Sequence, residues 1–337
     1  MKEIVIPLLT WFNQNKRDLP WRGDVSPYEI YISEIMLQQT KVEAVKPYYH
    51  RFLNKASNFF MLANLEDSEL YKLWEGLGYY SRAKNLKKCA QEIVNKYNGE
   101  FPKDYKDAIN LPGIGMYTAG AILSRAYNEK IAAVDGNVLR VFSRLYLDDK
   151  DILKDTTKKY YKEKIEKIIP DTPGMFNEAL MDLGATVCMP KIALCDICPL
   201  SSFCKAKREN LVLDYPKKKE KMEKQYLEYS MIFITDGNKY ILLPKEDGVL
   251  KGLQAPILIN SFLMDYEIID EIKNKYNIDI YNVEFIKEGK HIFSHQLWNI
   301  KAYLCYSKDL LNYNSYTKDE ILNTIGLPTA YKKFLPF

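Results

Sequence analysis

Four of the six cysteines in the chain fall within CMPKIALCDICPLSSFC, at Cys188, Cys195, Cys198 and Cys204. Thiolates spaced this closely, in a chain whose start carries no export signal, argue for a metal centre rather than disulfides. Four Cys ligands suit a tetrahedral zinc or a [4Fe-4S] cluster, and spacing alone leaves both open. Cys89 and Cys305 stand apart and read as core or surface thiols. A second stretch with chemical potential is LPGIGMYTAG, residues 111–120. Gly113 and Gly115 remove side chains where the backbone must turn and where another molecule could approach closely. The free amides at the start of the following helix then form an anion site. Taken alone, Gly-x-Gly between helices is most often just a turn.

These residues need elements to position them. From about residue 28 to 208 the pattern is helical: YEIYISEIMLQQTKVEAVKPYYHRFL, SELYKLWEGL and AKNLKKCAQEIVNKY keep apolar residues three and four apart. Within this run Glu34 sits in ISEIMLQ, an otherwise apolar helix, and on pattern alone reads as part of a solvent-facing stripe. GEFPKDYKDAINL supplies a breaker and a short helix ahead of the glycine turn, and YTAGAILSRAY follows as a helix. Composition shifts at LVLDYPKKKEKMEKQ, a charged stretch with a proline that reads as a linker over 211–226. Beyond it, YSMIFITDGNKYILLPK reads as a hairpin about Asp236-Gly237, DEIKNKY as a helix, and NVEFIKEGKHIFSHQLWNIKAYLCY as strands. The expectation is a multidomain chain: a mainly α domain over 1–210, then a smaller α+β domain over 227–337.

Composition sets outer bounds. A chain of 337 residues with 47% hydrophobic and 27% charged residues is an ordinary globular protein long enough for two cores. The net charge of +4 points only weakly to nucleic acid; the local cluster in SRAKNLKK says more. No stretch is apolar for long enough to span a bilayer, so no membrane partner is expected and the location expected is cytoplasmic.

LPGIG followed by YTAGAI, then VDGNVLRV, then the C-x6-C-x2-C-x5-C spacing resembles the helix-hairpin-helix DNA glycosylases of the endonuclease III type, over about residues 8 to 210. SEIMLQQTKVEAVKPYYHRF, LWEGLGYYSRAKNL, LPWR, FNEALMDLGATVC and FSH narrow the resemblance to MutY-type adenine DNA glycosylases, over nearly the whole chain. The resemblance implies removal of adenine opposite 8-oxoguanine or guanine in double-stranded DNA, by a monomer associated with the bacterial nucleoid. It implies a [4Fe-4S] cluster on Cys188, Cys195, Cys198 and Cys204, with Lys205, Lys207 and Arg208 offered to DNA, although 199–203 carries no basic residue. It places the hairpin at about 106–126, with a DNA phosphate on the amides beside Gly113 and Gly115.

For the chemistry, the resemblance implies that Glu34 protonates the purine and that Asp135 steadies the cationic sugar or bonds to it. Asn137 would orient Asp135 and water. Strand-cutting relatives carry a lysine where Tyr117 stands, so a monofunctional enzyme or weak lyase is implied, with Tyr117 beside Asp135 to position it or shield the cation. Gln39 and Tyr79 would wedge into the stack as the adenine flips out, and Arg22, Val42 and Glu178 would line its pocket. The second domain resembles a Nudix-like domain without the metal-binding acidic helix, so no pyrophosphatase activity is expected. It reads GLQAPI at 252–257 where the family has GLWEFP, and its loop of Phe293, Ser294 and His295 would touch the 8-oxoguanine strand. An endonuclease III-like enzyme for oxidised pyrimidines is disfavoured by the missing lysine and the extra domain. A non-catalytic iron–sulfur DNA-binding protein would leave Glu34 and Asp135 unexplained.

Overall fold

The computed structural model describes residues 2–218, 223–310 and 312–337. The chain divides into two compact units, Met1–Asn64 with Asn85–Lys221, and Leu65–Lys84 with Met222–Phe337.

The first unit is built from helices. Ser26 opens the helix Pro27–Leu37 with a capping box: Glu29 N donates to Ser26 Oγ at 3.2 Å and Ser26 N to Glu29 Oε2 at 2.8 Å. Eight of its residues, from Tyr28 to Met36, are buried, as befits a helix apolar on nearly every side. Glu34 is therefore in the interior, not on a solvent-facing stripe. The unbroken helix the pattern suggests from 28 onward stops at Leu37, because Gln39 takes a left-handed backbone (φ 56°) before Val42–Lys55 begins. The helices Val5–Asn15, Gly136–Tyr146 and Pro173–Thr186 pack around Leu8, Phe12, Phe142, Phe176 and Leu180.

The hairpin runs from the helix Tyr105–Ile109 through the glycine turn into the helix Met116–Ala126. Gly113 needs to be glycine twice over: its φ is +80°, and a Cβ there would lie 2.9 Å from Asn85 Cβ. Gly115 has an ordinary φ and caps the second helix, with open space where its side chain would be. That opening leaves the first amides of the helix approachable from outside.

The second unit contains β1 (Gln225–Thr235), β2 (Lys239–Ile241), β3 (Leu243–Pro244), β4 (Gln254–Ala255), β5 (Ile257–Ile259), β6 (Ile280–Ile292), β7 (Gln296–Ser307) and β8 (Ser315–Thr317). The sheet order is β6-β7-β1-β2-β8, with β5 also on β1. β1 and β7 run parallel from Gln225↔Gln296 to Thr235↔Tyr306. Both faces of β1 are buried: Met231 and Phe233 join Trp298 and Tyr331, while Ile232 and Ile234 meet Ile268 and Ile272 of the helix Asp265–Tyr276. The hairpin about Asp236-Gly237 is present, pairing Thr235 with Tyr240.

Two boundaries differ from the sequence expectation. Residues 65–84 do not belong with the helices on either side but with the sheet unit. There Lys72 Nζ donates to Leu322 O at 2.6 Å, Leu327 N donates to Glu75 Oε1 at 3.1 Å, and Lys332 Nζ lies 2.7 Å from the same oxygen. Helical periodicity identifies a helix but not the core it joins. The linker expected over 211–226 is only partly testable, since 219–222 lie outside the described residues. Its first part, 211–218, is docked on the helical unit: Arg144 Nε donates to Tyr215 O at 2.9 Å, Tyr215 Oη to Asp149 Oδ1 at 2.8 Å, and Ile152 N to Lys217 O at 3.2 Å. One buried tyrosine anchors a stretch whose lysines suggested a tether.

Candidate active site and cysteine loop

Helix Pro27–Leu37 brings Glu34 against helix Met116–Ala126, where Tyr117 Oη donates to Glu34 Oε2 at 2.8 Å. Burial pushes the Glu34 carboxyl above the usual carboxylate range; Arg125 and the Tyr117 bond oppose that rise, while Glu178 and Asp135 add to it. Burial also raises the Tyr117 phenol well above its ordinary value. The tyrosine hydroxyl bonds Glu34, and Asp135 lies near enough for its charge to add to the rise of the phenol.

Asp135 is fixed as the N-cap of helix Gly136–Tyr146. Its Oδ1 accepts from Val138 N at 2.8 Å and its Oδ2 from Asn137 Nδ2 at 2.7 Å. Burial raises this carboxyl too, against those donors. Asn137 is held in turn: Arg140 Nη2 donates to Asn137 Oδ1 at 2.8 Å and to Gly184 O at 2.7 Å, and Arg140 Nε donates to Cys188 O at 2.7 Å. Gly184 allows the approach, because a Cβ there would lie 2.5 Å from Asn137 Cβ.

Behind Glu34 lies a lattice of ions around the buried Asp182. Arg22 meets Glu178 at 3.5 Å and donates to both oxygens of Asp182, at 2.8 and 2.9 Å. Arg17 adds a third cationic contact to Asp182 at 2.6 Å. Desolvation would raise the Asp182 carboxyl, but the bonds from Arg22 and Arg17 prevail and hold it below its ordinary value. Arg125 Nε stands 3.1 Å from Glu178 Oε1 and its Nη1 3.3 Å from Glu34 Oε1. Val42 is half-buried at the first turn of its helix. Arg125, Asp182 and Arg140 escaped the sequence reading, since charged residues on helical stripes look solvated until the fold buries them.

Gln39 and Tyr79 share an uncommon feature. Both are exposed, and both have left-handed backbones, with φ of 56° and 47°. Such strain in side-chain-bearing residues gathers at functional sites.

In the second unit, Phe293, Ser294 and His295 form the tip between β6 and β7, closed by Phe293 N donating to Gln296 O at 2.8 Å. Phe293 packs on Trp298 and His291, while Ser294 and His295 are exposed, with Ser294 Oγ 3.1 Å from His295 Nδ1. The tip borders a cavity of about 840 Å³ whose wall also includes Tyr79, Lys84 and the 248–251 loop. Gln254 of the atypical GLQAPI segment pairs with Pro244, its Oε1 buried without a hydrogen-bond partner among the described residues.

The four loop cysteines are unpaired, partly buried and line one small cavity with Arg144 and Lys207. Among the described residues no three His, Cys, Asp or Glu side chains are drawn together tightly enough to grip a single ion. Burial pushes the Cys198 thiol up to about 12, opposed by the Leu200 amide; the Cys204 thiol is raised likewise, against the Lys207 and Ala206 amides. Arg144 Nη1 donates toward Cys188 Sγ at 3.3 Å. Amide and guanidinium donors aimed at sulfur fit thiolates that ligate a cationic centre.

The sequence pattern of the HhH-GPD superfamily, base excision DNA repair proteins, matches residues 32–170. An adenine DNA glycosylase of Buchnera aphidicola subsp. Baizongia pistaciae is 36% identical over 337 residues, covering 97% of this chain and 94% of its own. The adenine DNA glycosylase of Homo sapiens is 40% identical over 211 residues, 60% of this chain and 39% of that one. Among solved structures, a thermostable thymine-DNA glycosylase is 33% identical with a TM-score of 0.57, over 62% of this chain and 96% of its own. An endonuclease III in a non-covalent DNA complex, at 24% identity and a TM-score of 0.54, shares the fold over 63% of this chain and 98% of its own.

Proposed function

The chain belongs to the adenine DNA glycosylases of the HhH-GPD superfamily, and from that membership we propose that it removes adenine mispaired with 8-oxoguanine or guanine by hydrolysing the N-glycosidic bond. The observation that carries this reading is the pair of buried carboxylates in unlike surroundings. Asp135 receives a backbone amide and a side-chain amide, donors that stabilise an anion. Glu34 lies deep in an apolar helix among Asp135 and Glu178, whose charges favour its protonated form. Two carboxyl groups so divided suit an anion and an acid.

Adenine leaves poorly as an anion, so Glu34 delivers its proton to N7 as the bond from the sugar C1′ to N9 breaks and the electron pair passes to the base. Asp135 faces the cationic sugar. Water adds its hydroxyl to C1′ and its proton restores the Glu34 carboxyl, leaving neutral adenine and an abasic site with one water consumed. Tyr117 cannot form an imine, so the enzyme is monofunctional or at most a weak lyase. The amides after Gly115 hold a phosphate, Gln39 and Tyr79 fill the gap left by the flipped base, and the Nudix-like unit reads the lesion with Phe293, Ser294 and His295. Arg22, Val42 and Glu178 line the base pocket.

For the cysteine loop we propose a [4Fe-4S] cluster on Cys188, Cys195, Cys198 and Cys204. What supports the reading is four thiols lining one small cavity with Arg144 and Lys207, an all-sulfur donor set of the kind such clusters use. When bound, it supplies a covalent brace across residues 188–204. The enzyme acts as a monomer on double-stranded DNA in the bacterial cytoplasm.

The test is base release from duplexes holding A opposite 8-oxoguanine, A opposite G, T opposite G, and thymine glycol. Adenine release, fastest opposite 8-oxoguanine, is expected; release of thymine or thymine glycol in its place overturns the reading.

A further inference from the structure

Arg125 lies eight residues after Tyr117 on the same helix, and only 9% of its side chain is exposed. Its guanidinium is divided three ways: Nη1 to Glu34 Oε1 at 3.3 Å, Nε to Glu178 Oε1 at 3.1 Å, and Nη2 to the Trp21 carbonyl. Tyr117 already occupies Glu34 Oε2. Both oxygens of Glu34 are therefore engaged, by a hydroxyl on one and a full positive charge on the other.

We propose that Arg125 is a positioning residue for this reaction, a buried cation that aims Glu34 from the side while biasing it against the protonated state the chemistry uses. The inference rests on Glu34 being the proton donor. For the proton to reach a base, the Arg125–Glu34 contact has to loosen, and Glu178 and the Trp21 carbonyl give the guanidinium somewhere to remain. A cation in contact with the acid also works against a second cation forming on the purine, so the loosening serves both needs.

The groups facing Glu34 fix the sign of the effect. Helix Met116–Ala126 presents Tyr117 and Arg125, which favour the carboxylate; the cap of helix Gly136–Tyr146 presents Asp135 and helix Pro173–Thr186 presents Glu178, which disfavour it. From helix Val42–Lys55, Tyr49 lies close enough to Arg125 to feel its charge, and its buried hydroxyl has no hydrogen-bond partner among the described residues. Take Arg125 away, and burial plus two negative neighbours are opposed only by Tyr117. The acid then keeps its proton to higher pH, so the alkaline fall in rate moves upward.

The experiment is the single-turnover rate of adenine release from an A·8-oxoguanine duplex, from about pH 5 to about pH 9, for wild type, Arg125→Met, Arg125→Gln, Arg125→Lys and Glu34→Gln. The Met and Gln variants should lose aim, seen as a lower plateau, and move the alkaline limb up by about one pH unit. About one unit above the wild-type midpoint, each should then keep roughly fivefold more of its own plateau than wild type keeps. Arg125→Lys, which retains the charge, should bring the limb back. Should Arg125→Met fail to fold, Arg125→Gln carries the same expectation. An unmoved or lowered limb in whichever neutral variant folds overturns the proposal, as does a lysine variant that behaves like the neutral ones. Wild-type rates in Glu34→Gln would instead overturn the assignment of Glu34 as the acid, a separate outcome.

Discussion

Replacing Gly184 by Ala adds one methyl group at the point where helix Pro173–Thr186 touches Asn137. The new Cβ would sit 2.5 Å from Asn137 Cβ and 3.1 Å from its Cα. Carbon atoms settle at about 3.5–4.0 Å, so the two groups must part by roughly 1 Å. Asn137 holds Asp135 Oδ2 at 2.7 Å, and a shift of that size breaks the bond. Misplacement by about 1 Å typically costs on the order of 100-fold in rate. Alanine in a helix is otherwise favoured over glycine by about 1 kcal/mol. Overpacking works the other way by about 1–3 kcal/mol. The balance should be a modest net loss, with the melting temperature falling about 2–4 °C per kcal/mol. Single-turnover adenine release, duplex affinity and thermal unfolding together decide the matter: the rate should fall about 100-fold with affinity nearly unchanged. A folded Gly184→Ala protein within about threefold of the wild-type rate, a loss under about 0.7 kcal/mol, would refute the idea that this packing sets the aim of Asp135.

Asp135→Asn and Glu34→Gln should each bind mispaired duplex almost normally and release no adenine; a variant keeping about a tenth of the rate, a loss of about 1.4 kcal/mol, leaves the catalytic list. Because the reacting form of Glu34 is protonated and burial raises its pKa, the wild-type rate should fall as pH rises through that raised value; Asp135, raised by burial as well but needed as the anion, should limit the rate on the acid side. Tyr117→Lys should gain a borohydride-trappable imine with DNA, and equal trapping by wild type would mean another lysine performs that chemistry. Phe293→Ala combined with Ser294→Ala should shrink the preference for 8-oxoguanine over guanine opposite adenine, by about 1–3 kcal/mol if one hydroxyl reads the lesion; an unchanged ratio of rates and dissociation constants would leave lesion reading to Gln39 and Tyr79. The purified protein should be yellow-brown and Cys198→Ser bleached and less stable, whereas a colourless zinc protein prepared without oxygen would overturn the cluster.

Local signals carried far, and their limits are physical. The cysteine spacing, the Gly113 turn and the loop at Phe293 are short-range patterns, legible because the residues concerned are neighbours in the chain. The burial of Glu34 was less accessible: ISEIMLQ has the same pattern whether its glutamate faces water or the core, and only the helices packed around it decide. Arg125, Asp182 and Arg140 lay beyond reach for the same reason, since each has partners between 44 and 165 residues distant. The affiliation of residues 65–84 was hidden because amphipathic spacing reports that a face is buried, not what buries it.

That affiliation has a consequence in time. As the chain leaves the ribosome, the helix Asp67–Trp74 and its C-cap Glu75 emerge early, yet the Leu322 carbonyl that Lys72 bonds and the Leu327 amide that Glu75 bonds lie 250 and 252 residues further on. At roughly 5–20 residues per second, synthesis leaves that helix without its partners for about 12–50 seconds. Lys72 and Glu75 wait through that interval with nothing from the C-terminal end to bond them. The segment bearing Tyr79 should thus be among the last to settle, and a nascent chain stalled before residue 322 should hold it open to chaperones and proteases.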